Sequence, residues 1–153
     1  NKIGTFGHGF TYSGHPVPAA VAIETLKIYD EMDMGGHVAN VGTYFQSELR
    51  RRFAGHELVG EVRGVGLIAA MELVADKAEH KNFDPAAKVG PRLQKLYEEN
   101  GLIGRVVAGD TVCFSPPLII TREEIDEMLN RVSKSLDALT VQIRREKIGV
   151  VRP

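Results

Sequence analysis

The sequence is poor in cysteine, tryptophan and net charge. It contains one cysteine and no tryptophan, and 19 Lys+Arg face 20 Asp+Glu, which gives a net charge of -1. Because a single cysteine cannot form an internal disulfide, Cys113 suits a reducing cytoplasm, which is the predicted location. The balanced charge argues against nucleic acid or an anionic membrane surface as the main partner. No run approaches the roughly 18 apolar residues of a membrane span.

What remains is the composition of a folded globular protein. The 153 residues fit one ordinary domain, and the 43% hydrophobic and 25% charged fractions argue against disorder. There is no initiator Met, Asn1–Thr5 lack the form of a signal peptide, and the chain opens in a Gly-rich stretch. We therefore expect the chain to begin in the middle of a longer protein.

Helix formers and apolar residues at three- and four-residue steps predict helices at about residues 16–32, 37–53, 85–100 and 122–147. Gly35-Gly36 is expected to separate the first helix from the second. Asp84-Pro85 is a start signal for the third, with Asp as N-cap and Pro at the first helical position. Thr121 and Glu124 have the spacing of a capping box for the fourth.

Four strands are predicted between these helices, at residues 58–63, 66–74, 102–107 and 111–114. The second is a nearly continuous apolar run, which is typical of a strand covered on both faces. Strands interleaved with helices predict an α/β or α+β layer, with helices packed against one small sheet.

The stretch GHGFTYSGHP at residues 7–16 combines glycines with three hydroxyl side chains just before a helix. Unpaired N–H groups and the helix dipole favour an anion at such a place. A Gly-rich connector whose hydroxyls merely cap the helix would have the same composition, so the residues alone leave both interpretations open. The Gly-x-Gly-x-x-Gly spacing of a dinucleotide site is not present.

Four segments in order resemble one family over nearly the whole chain: HGFTYSGHP at 8–16, VRGVGL at 62–67, GLIGR at 101–105 and SPPLIIT at 115–121. They resemble the class III aminotransferases, which are pyridoxal 5'-phosphate (PLP) enzymes of fold type I, and the similarity is nearest to the ω-aminotransferase branch. The resemblance implies the C-terminal part of such an enzyme. Residues 1–32 would then be an interface segment of the large domain with a linking helix, and residues 33–153 the small α/β domain.

The resemblance also implies site residues. At the positions of Phe10 and Thr11, the family uses a backbone amide and a hydroxyl to hold the cofactor phosphate of the neighbouring subunit in a homodimer. At the position of Arg105, ω-aminotransferases use an arginine to bind the carboxylate of an amino or keto acid, since a guanidinium can grip a carboxylate with two parallel bonds. The segment after Arg105 is one residue longer than the commonest family spacing, which leaves the orientation of Arg105 open.

No catalytic residue is predicted within the chain. In the family, the Schiff-base lysine and the acid that faces the pyridine nitrogen lie upstream of the first motif, and none of the chain's lysines has the expected context: Lys2, Lys27, Lys77, Lys81, Lys88, Lys95, Lys134 and Lys147. The chain alone is therefore expected to be inactive.

Other candidate residues are interpreted as structural. Arg63 is expected to tie a turn or a carboxylate, Cys113 to be an inert core thiol, and Asp110 to cap its own turn. His8 and His15 lie seven apart with no nearby Cys or carboxylate, so no metal site is predicted.

Two rival interpretations stay open at this point. One keeps the superfamily but makes the protein an aminomutase or a decarboxylase, and the other makes it a non-catalytic α/β binding module. The sequence does not specify the amine donor, the keto acid, the stereochemical preference or any oligomer beyond a dimer.

Overall fold

Two compact units, Asn1–Gly35 and Gly36–Pro153, make up the chain in this computed structural model. It describes Gly4, residues 7–107 and residues 109–149. The first three residues, Thr5 and Phe6 of the predicted leader, and Ala108 of a predicted turn, lie outside the described residues.

The first unit contains helix α1, Pro16–Glu31, which confirms the helix predicted to begin at Pro16. His15 is its N-cap, with Nδ1 accepting a hydrogen bond of 3.2 Å from the Val17 amide. None of the residues of α1 is buried in this chain. Its apolar side chains are exposed: Val17, Val21, Ile23, Leu26, Ile28 and Tyr29.

The predicted break at Gly35-Gly36 lies a few residues earlier. Helix α2 spans Met34–Phe53, so both glycines are in its first turn. Asp33, between α1 and α2, has a positive φ of 43°. Aspartate is one of the few non-glycine residues that adopt the left-handed region readily, because its short polar side chain can bond locally.

The second unit has a four-stranded sheet with strand order β1-β2-β4-β3. The strands are β1 (Val59–Val65), β2 (Ile68–Leu73), β3 (Arg105–Val107) and β4 (Thr111–Phe114). All three strand pairs are antiparallel. Besides α2, the unit contains a 3₁₀ turn at Pro85–Ala87 and helices α3 (Val89–Glu99) and α4 (Arg122–Glu146). No helix in the described ranges is long and apolar enough to cross a bilayer.

One core joins the sheet to all three helices of the second unit. The ring of Phe45 on α2 packs edge-to-face on Phe114 of β4, with centroids 6.1 Å apart. The other large buried side chains of this core include Leu49, Phe53, Met71, Leu73, Leu93, Tyr97, Ile125, Leu129, Leu136 and Leu139. The predicted layer of helices against one small sheet is therefore confirmed.

The described residues cover only one face of the second strand, whereas the sequence predicts cover on both faces. Along β2, Ala69, Met71 and Leu73 are buried whereas Ile68 is 67% exposed. Because side chains alternate between the faces of a sheet, one face of β2 meets the helices and the other, which we call the open face, is not covered by any described residues. The apolar run in the sequence was produced by small and apolar residues on the open face.

The helix ends follow local chemistry closely at α4 and less closely at α3. At α4, Thr121 and Glu124 form both bonds of the predicted capping box, at 3.2 and 2.8 Å. At Asp84-Pro85, the predicted cap exists, but it opens only the 3₁₀ turn. Lys88 then takes a left-handed conformation, with φ 51°, and α3 begins after it.

Candidate functional site

A tight turn precedes α1 at residues 10–14. The Ser13 amide donates to the Phe10 carbonyl at 2.9 Å, and the Phe10 amide donates to the Ser13 Oγ at 2.8 Å. Gly14 closes the turn with a φ of +76°, a conformation that favours glycine. The Ser13 hydroxyl is thus committed to the turn.

Thr11 is at the outer corner of this turn. The residue is exposed, and neither its amide nor its hydroxyl makes a hydrogen bond within the described part of the chain. The neighbouring Phe10 ring is 73% exposed, but the Phe10 amide is already bonded to Ser13. Of the predicted Phe10–Thr11 pair, Thr11 therefore has two hydrogen-bond donors that are not used by other described residues.

The start of α1 itself offers no such donors among the described residues, so of the two interpretations that the sequence left open, an anion held by the first turn of the helix is not supported. Pro16 and Pro18 have no N–H, the Val17 amide is bonded to His15 Nδ1 at 3.2 Å, and the Ala19 amide is bonded to the His15 carbonyl at 3.2 Å. The four N–H groups that a helix usually leaves unpaired at its start are absent or satisfied here. The donors that could meet an anion are in the turn.

In the second unit, Arg105 begins β3 on the open face of the sheet. Arg63 is paired with Ala70, Ala70 with Cys113, and Cys113 with Arg105. Directly opposed residues of antiparallel strands have side chains on the same face. This row therefore carries one arginine on each edge strand, with Ala70 and a half-buried Cys113 between them. Cys113 is on the open face and not in the core, which corrects its interpretation as a core thiol.

The two arginines of this row differ in their partners. Arg63 Nη1 is 2.5 Å from Glu61 and 3.1 Å from Glu72. The hydrogen bonds to Glu61 and then to Glu72 raise the pKa of the Arg63 guanidinium. Arg105 is exposed and forms no ion pair with any other described residue. Arg63 is therefore structural, as predicted, and Arg105 keeps its charge and donors available.

Arg105 lies between two shallow apolar cavities. One, of about 500 Å³, is on the open face beside Val65, Ile68 and Val107. The other, of about 460 Å³, is bounded by Tyr97, Ile103, Pro116, Pro117 and Met128. A cation between apolar walls is suited to a small molecule with one carboxylate and an apolar body.

Tyr97 borders the second cavity. The sequence predicts its place on the buried face of α3 but not its position beside a cavity. Its hydroxyl is buried and has no hydrogen-bond partner among the described residues, and burial raises its pKa. Gly104 lies against the ring: a Cβ there would be 2.4 Å from Tyr97 Cδ2. Glycine at 104 therefore lets the chain enter β3 next to this ring.

Asp110 was predicted to cap its own turn, and its contacts are different. Its Oδ1 accepts a hydrogen bond of 2.8 Å from the amide of Gly90, in the first turn of α3. The only sequence signal for this contact is an isolated glycine near the start of a predicted helix, which often marks a close approach.

Comparison with solved structures defines the class of fold. The ω-transaminase from Pseudomonas jessenii in complex with PMP aligns with a TM-score of 0.81 and 42% identity, covering 93% of this chain and 31% of that chain. The fold is accordingly that of part of a fold-type I PLP-dependent transferase. Residues 1–136 match the family model Aminotransferase class-III, and the chain belongs to this family.

Curated relatives agree with the family assignment. An uncharacterized aminotransferase, y4uB, from Sinorhizobium fredii is 44% identical over 147 residues, which are 95% of this chain and 32% of that protein. The mitochondrial gamma aminobutyrate transaminase 1 of Solanum lycopersicum is 44% identical over 136 residues, or 89% of this chain and 26% of that protein. The chain thus spans about a third or less of the length of these relatives.

Proposed function

We propose that the chain is the C-terminal part of a PLP-dependent class III ω-aminotransferase, which transfers an amino group from an amine or amino acid to a keto acid such as pyruvate. The family match over residues 1–136 carries this proposal. The ω-transaminase of Pseudomonas jessenii and the gamma aminobutyrate transaminase of Solanum lycopersicum, both similar to this chain, are named for reactions of this kind. The finer elements of the proposal are the cofactor, the substrates and the dimer.

The cofactor contact is proposed at Thr11, with Phe10 beside it. A phosphate dianion needs hydrogen-bond donors, and the exposed Thr11 amide and hydroxyl have no other partner among the described residues. Hydrogen bonds to a charged group contribute about 1.5–3 kcal/mol. PLP, when bound, supplies the electron sink for amino-group transfer. In this chain, the turn at residues 10–14 would only anchor the phosphate.

We propose that this phosphate belongs to the neighbouring subunit of a homodimer. The exposed apolar side chains of α1 are consistent with a surface that is covered in the complete protein, by the rest of the large domain or by the second subunit. Residues 1–32 would be the interface segment of the large domain with its linking helix, and residues 33–153 the small domain.

Substrate recognition is proposed at Arg105. Its guanidinium has no carboxylate partner among the described residues, in contrast to Arg63, and the adjoining cavities of about 500 and 460 Å³ are mainly apolar. A carboxylate would be held by two parallel N–H bonds while the rest of the molecule contacts the apolar walls. The lysine that binds the cofactor covalently is proposed to lie outside this chain, so the chain alone would be inactive.

The reaction can be tested with the enzyme expressed from its complete gene. Incubation with an ω-amine and pyruvate should produce alanine, and omission of either substrate should abolish it. An aminomutase would release a rearranged amino acid and a decarboxylase would release CO₂, so mass spectrometry of the products distinguishes both from a transaminase. A natural protein of 16.8 kDa with no bound cofactor would instead support a binding module and overturn the proposal.

We also propose a cytoplasmic location, on the basis of the single cysteine. The relative from Solanum lycopersicum is named as mitochondrial. Fractionation of the source cells followed by immunodetection would distinguish these compartments.

A further inference from the structure

Asp110 connects three elements of the second unit. It ends the turn between β3 and β4 in a left-handed conformation, with φ 54°. Its carbonyl accepts a hydrogen bond of 3.2 Å from the Leu73 amide on β2. Its carboxylate Oδ1 accepts the bond of 2.8 Å from the Gly90 amide on α3. One residue thus fixes the turn to both the sheet and a helix.

The carboxylate meets a need at the start of α3. The first N–H groups of a helix have no partner within it, and the N-cap residue Lys88 makes no side-chain cap bond. A carboxylate from a distant turn takes the capping role here, and its negative charge also suits the positive end of the helix dipole. A Cβ on Gly90 would lie 2.7 Å from Asp110 Oδ1 and 2.5 Å from Val106 Cγ1. Gly90 is therefore in close contact with both Asp110 and Val106, and a larger residue would not fit there.

The strand β3 adjoins this junction of the β3–β4 turn with α3. Within the described residues, β3 has only three residues, Arg105–Val107, and it is an edge strand that pairs with β4 alone. Val107, at the other end of β3 from Arg105, is paired with Thr111, which follows Asp110 in the sequence. The strand is otherwise held by its pairing with β4 and by the packing of Val106 on the core. A shift of the turn away from α3 would move the end of this short strand, and the guanidinium of Arg105 with it.

We propose that Asp110 is a positioning residue for Arg105: by bonding the Gly90 amide, it fixes the β3–β4 turn on α3 and so sets where the Arg105 guanidinium meets a carboxylate. This rests on the proposed function of Arg105. Asp110 itself contacts neither substrate nor cofactor in this role.

The test compares four variants of the complete holoenzyme. Asp110→Ala removes the acceptor, and Asp110→Asn keeps an oxygen acceptor but removes the charge. Asp84→Ala is the matched control, because Asp84 Oδ1 caps the Ala86 amide at the same distance of 2.8 Å in a turn away from β3. Arg105→Ala gives the change in KM for pyruvate when the guanidinium is lost completely. For each, KM for pyruvate, the rate of the half-reaction with an uncharged amine, and amide hydrogen exchange across residues 102–114 are measured.

We expect Asp110→Ala to raise KM for pyruvate by roughly tenfold, since a small misplacement of a binding group is costly, and to speed exchange in residues 105–107. The amine half-reaction should stay within about twofold, because no carboxylate is involved. In Asp110→Asn, which keeps the oxygen acceptor, KM for pyruvate should lie within about fivefold of the wild-type value, because only the charge at the helix end is lost. Asp84→Ala should change neither KM nor exchange in this region.

The failures are distinguishable. An unchanged pyruvate KM in Asp110→Ala, with a raised KM in Arg105→Ala, overturns the positioning role and leaves the function of Arg105 intact. An equal loss in the pyruvate and amine reactions also overturns it, because that pattern indicates a general structural effect. An unchanged KM in Arg105→Ala overturns the proposed function of Arg105 and, with it, this role of Asp110.

Discussion

Gly42 on α2 and Gly66 in the turn between β1 and β2 pack backbone against backbone. A Cβ on Gly42 would lie 2.7 Å from the Gly66 Cα and 2.8 Å from its carbonyl carbon. One turn further along α2, Gln46 Nε2 donates to the carbonyls of Gly66 and Ile68 at 3.0 and 3.2 Å. The hairpin that carries the Arg-Gly-x-Gly stretch is thus docked on α2 through glycine and one amide side chain.

This contact predicts that Gly42→Ala destabilises the protein by about 1–3 kcal/mol, since an added methyl in a packed contact forces the backbone apart. Gly55→Ala is the control, because a Cβ there meets nothing within 4 Å, and it should stay within about 0.5 kcal/mol of the wild type. Urea unfolding followed by circular dichroism measures both. Equal stability of the two variants would show that the hairpin can move away from α2 at little cost.

The buried hydroxyl of Tyr97 predicts a stabilising substitution. Because this hydroxyl has no partner among the described residues, Tyr97→Phe removes an unsatisfied buried group and should raise the free energy of unfolding by about 1 kcal/mol. Tyr44→Phe is the opposite control, since the Tyr44 hydroxyl donates its hydrogen to the Asp126 carboxylate, with both oxygens at 2.9 Å, and it should destabilise. A loss of stability in Tyr97→Phe would indicate that the hydroxyl is bonded in solution.

The elements of this fold could largely be predicted because their signals are local. The capping box at Thr121 and Glu124 involves residues three apart, and the apolar stripe of α2 is set by helical periodicity alone. Pro16 likewise marks the start of α1 through its own fixed φ. Each of these features is decided within about one turn of chain.

What could not be predicted depends on residues far apart in the sequence. Asp110 and Gly90 are 20 residues apart, and nothing near Asp110 indicates that its carboxylate caps α3. Arg63 has a carboxylate on its own strand, Glu61, and the strand register adds a second one, Glu72 of β2. Arg105 has no carboxylate partner among the described residues, and its sequence neighbourhood alone does not show whether a paired strand would bring one. The open face of β2 could not be predicted either, because the number of layers that cover a sheet depends on elements far away in the sequence.

On the proposed function, loss of the Thr11 hydroxyl should weaken cofactor binding. Thr11→Ala removes one hydrogen bond to a phosphate dianion, which corresponds to a roughly ten- to hundredfold higher dissociation constant for PLP. Titration of the apoenzyme with PLP, followed by absorbance, measures this. Thr11→Ser keeps the hydroxyl and should retain most of the affinity.

Thr25→Ala is the matched control for Thr11. The Thr25 hydroxyl bonds the Val21 carbonyl within α1 at 2.9 Å, so its loss should leave the PLP dissociation constant unchanged. The assignment of Thr11 fails if Thr11→Ala and Thr25→Ala bind PLP with the same affinity as the wild type.

Arg105 and Arg63 provide a matched test of carboxylate recognition on one sheet. Arg105→Ala should raise KM for pyruvate about ten- to hundredfold, the loss of a charge-assisted pair, with little change in the half-reaction of an uncharged amine. Arg105→Lys should be intermediate, because lysine keeps the charge but loses the two-donor fork. Arg63→Ala removes an equal charge from the same row, yet its guanidinium is already bonded to Glu61 and Glu72. Steady-state kinetics should therefore show an unchanged pyruvate KM for Arg63→Ala; a similar rise in both alanine variants would mean that the sheet's overall positive charge, and not a specific contact at Arg105, attracts the substrate.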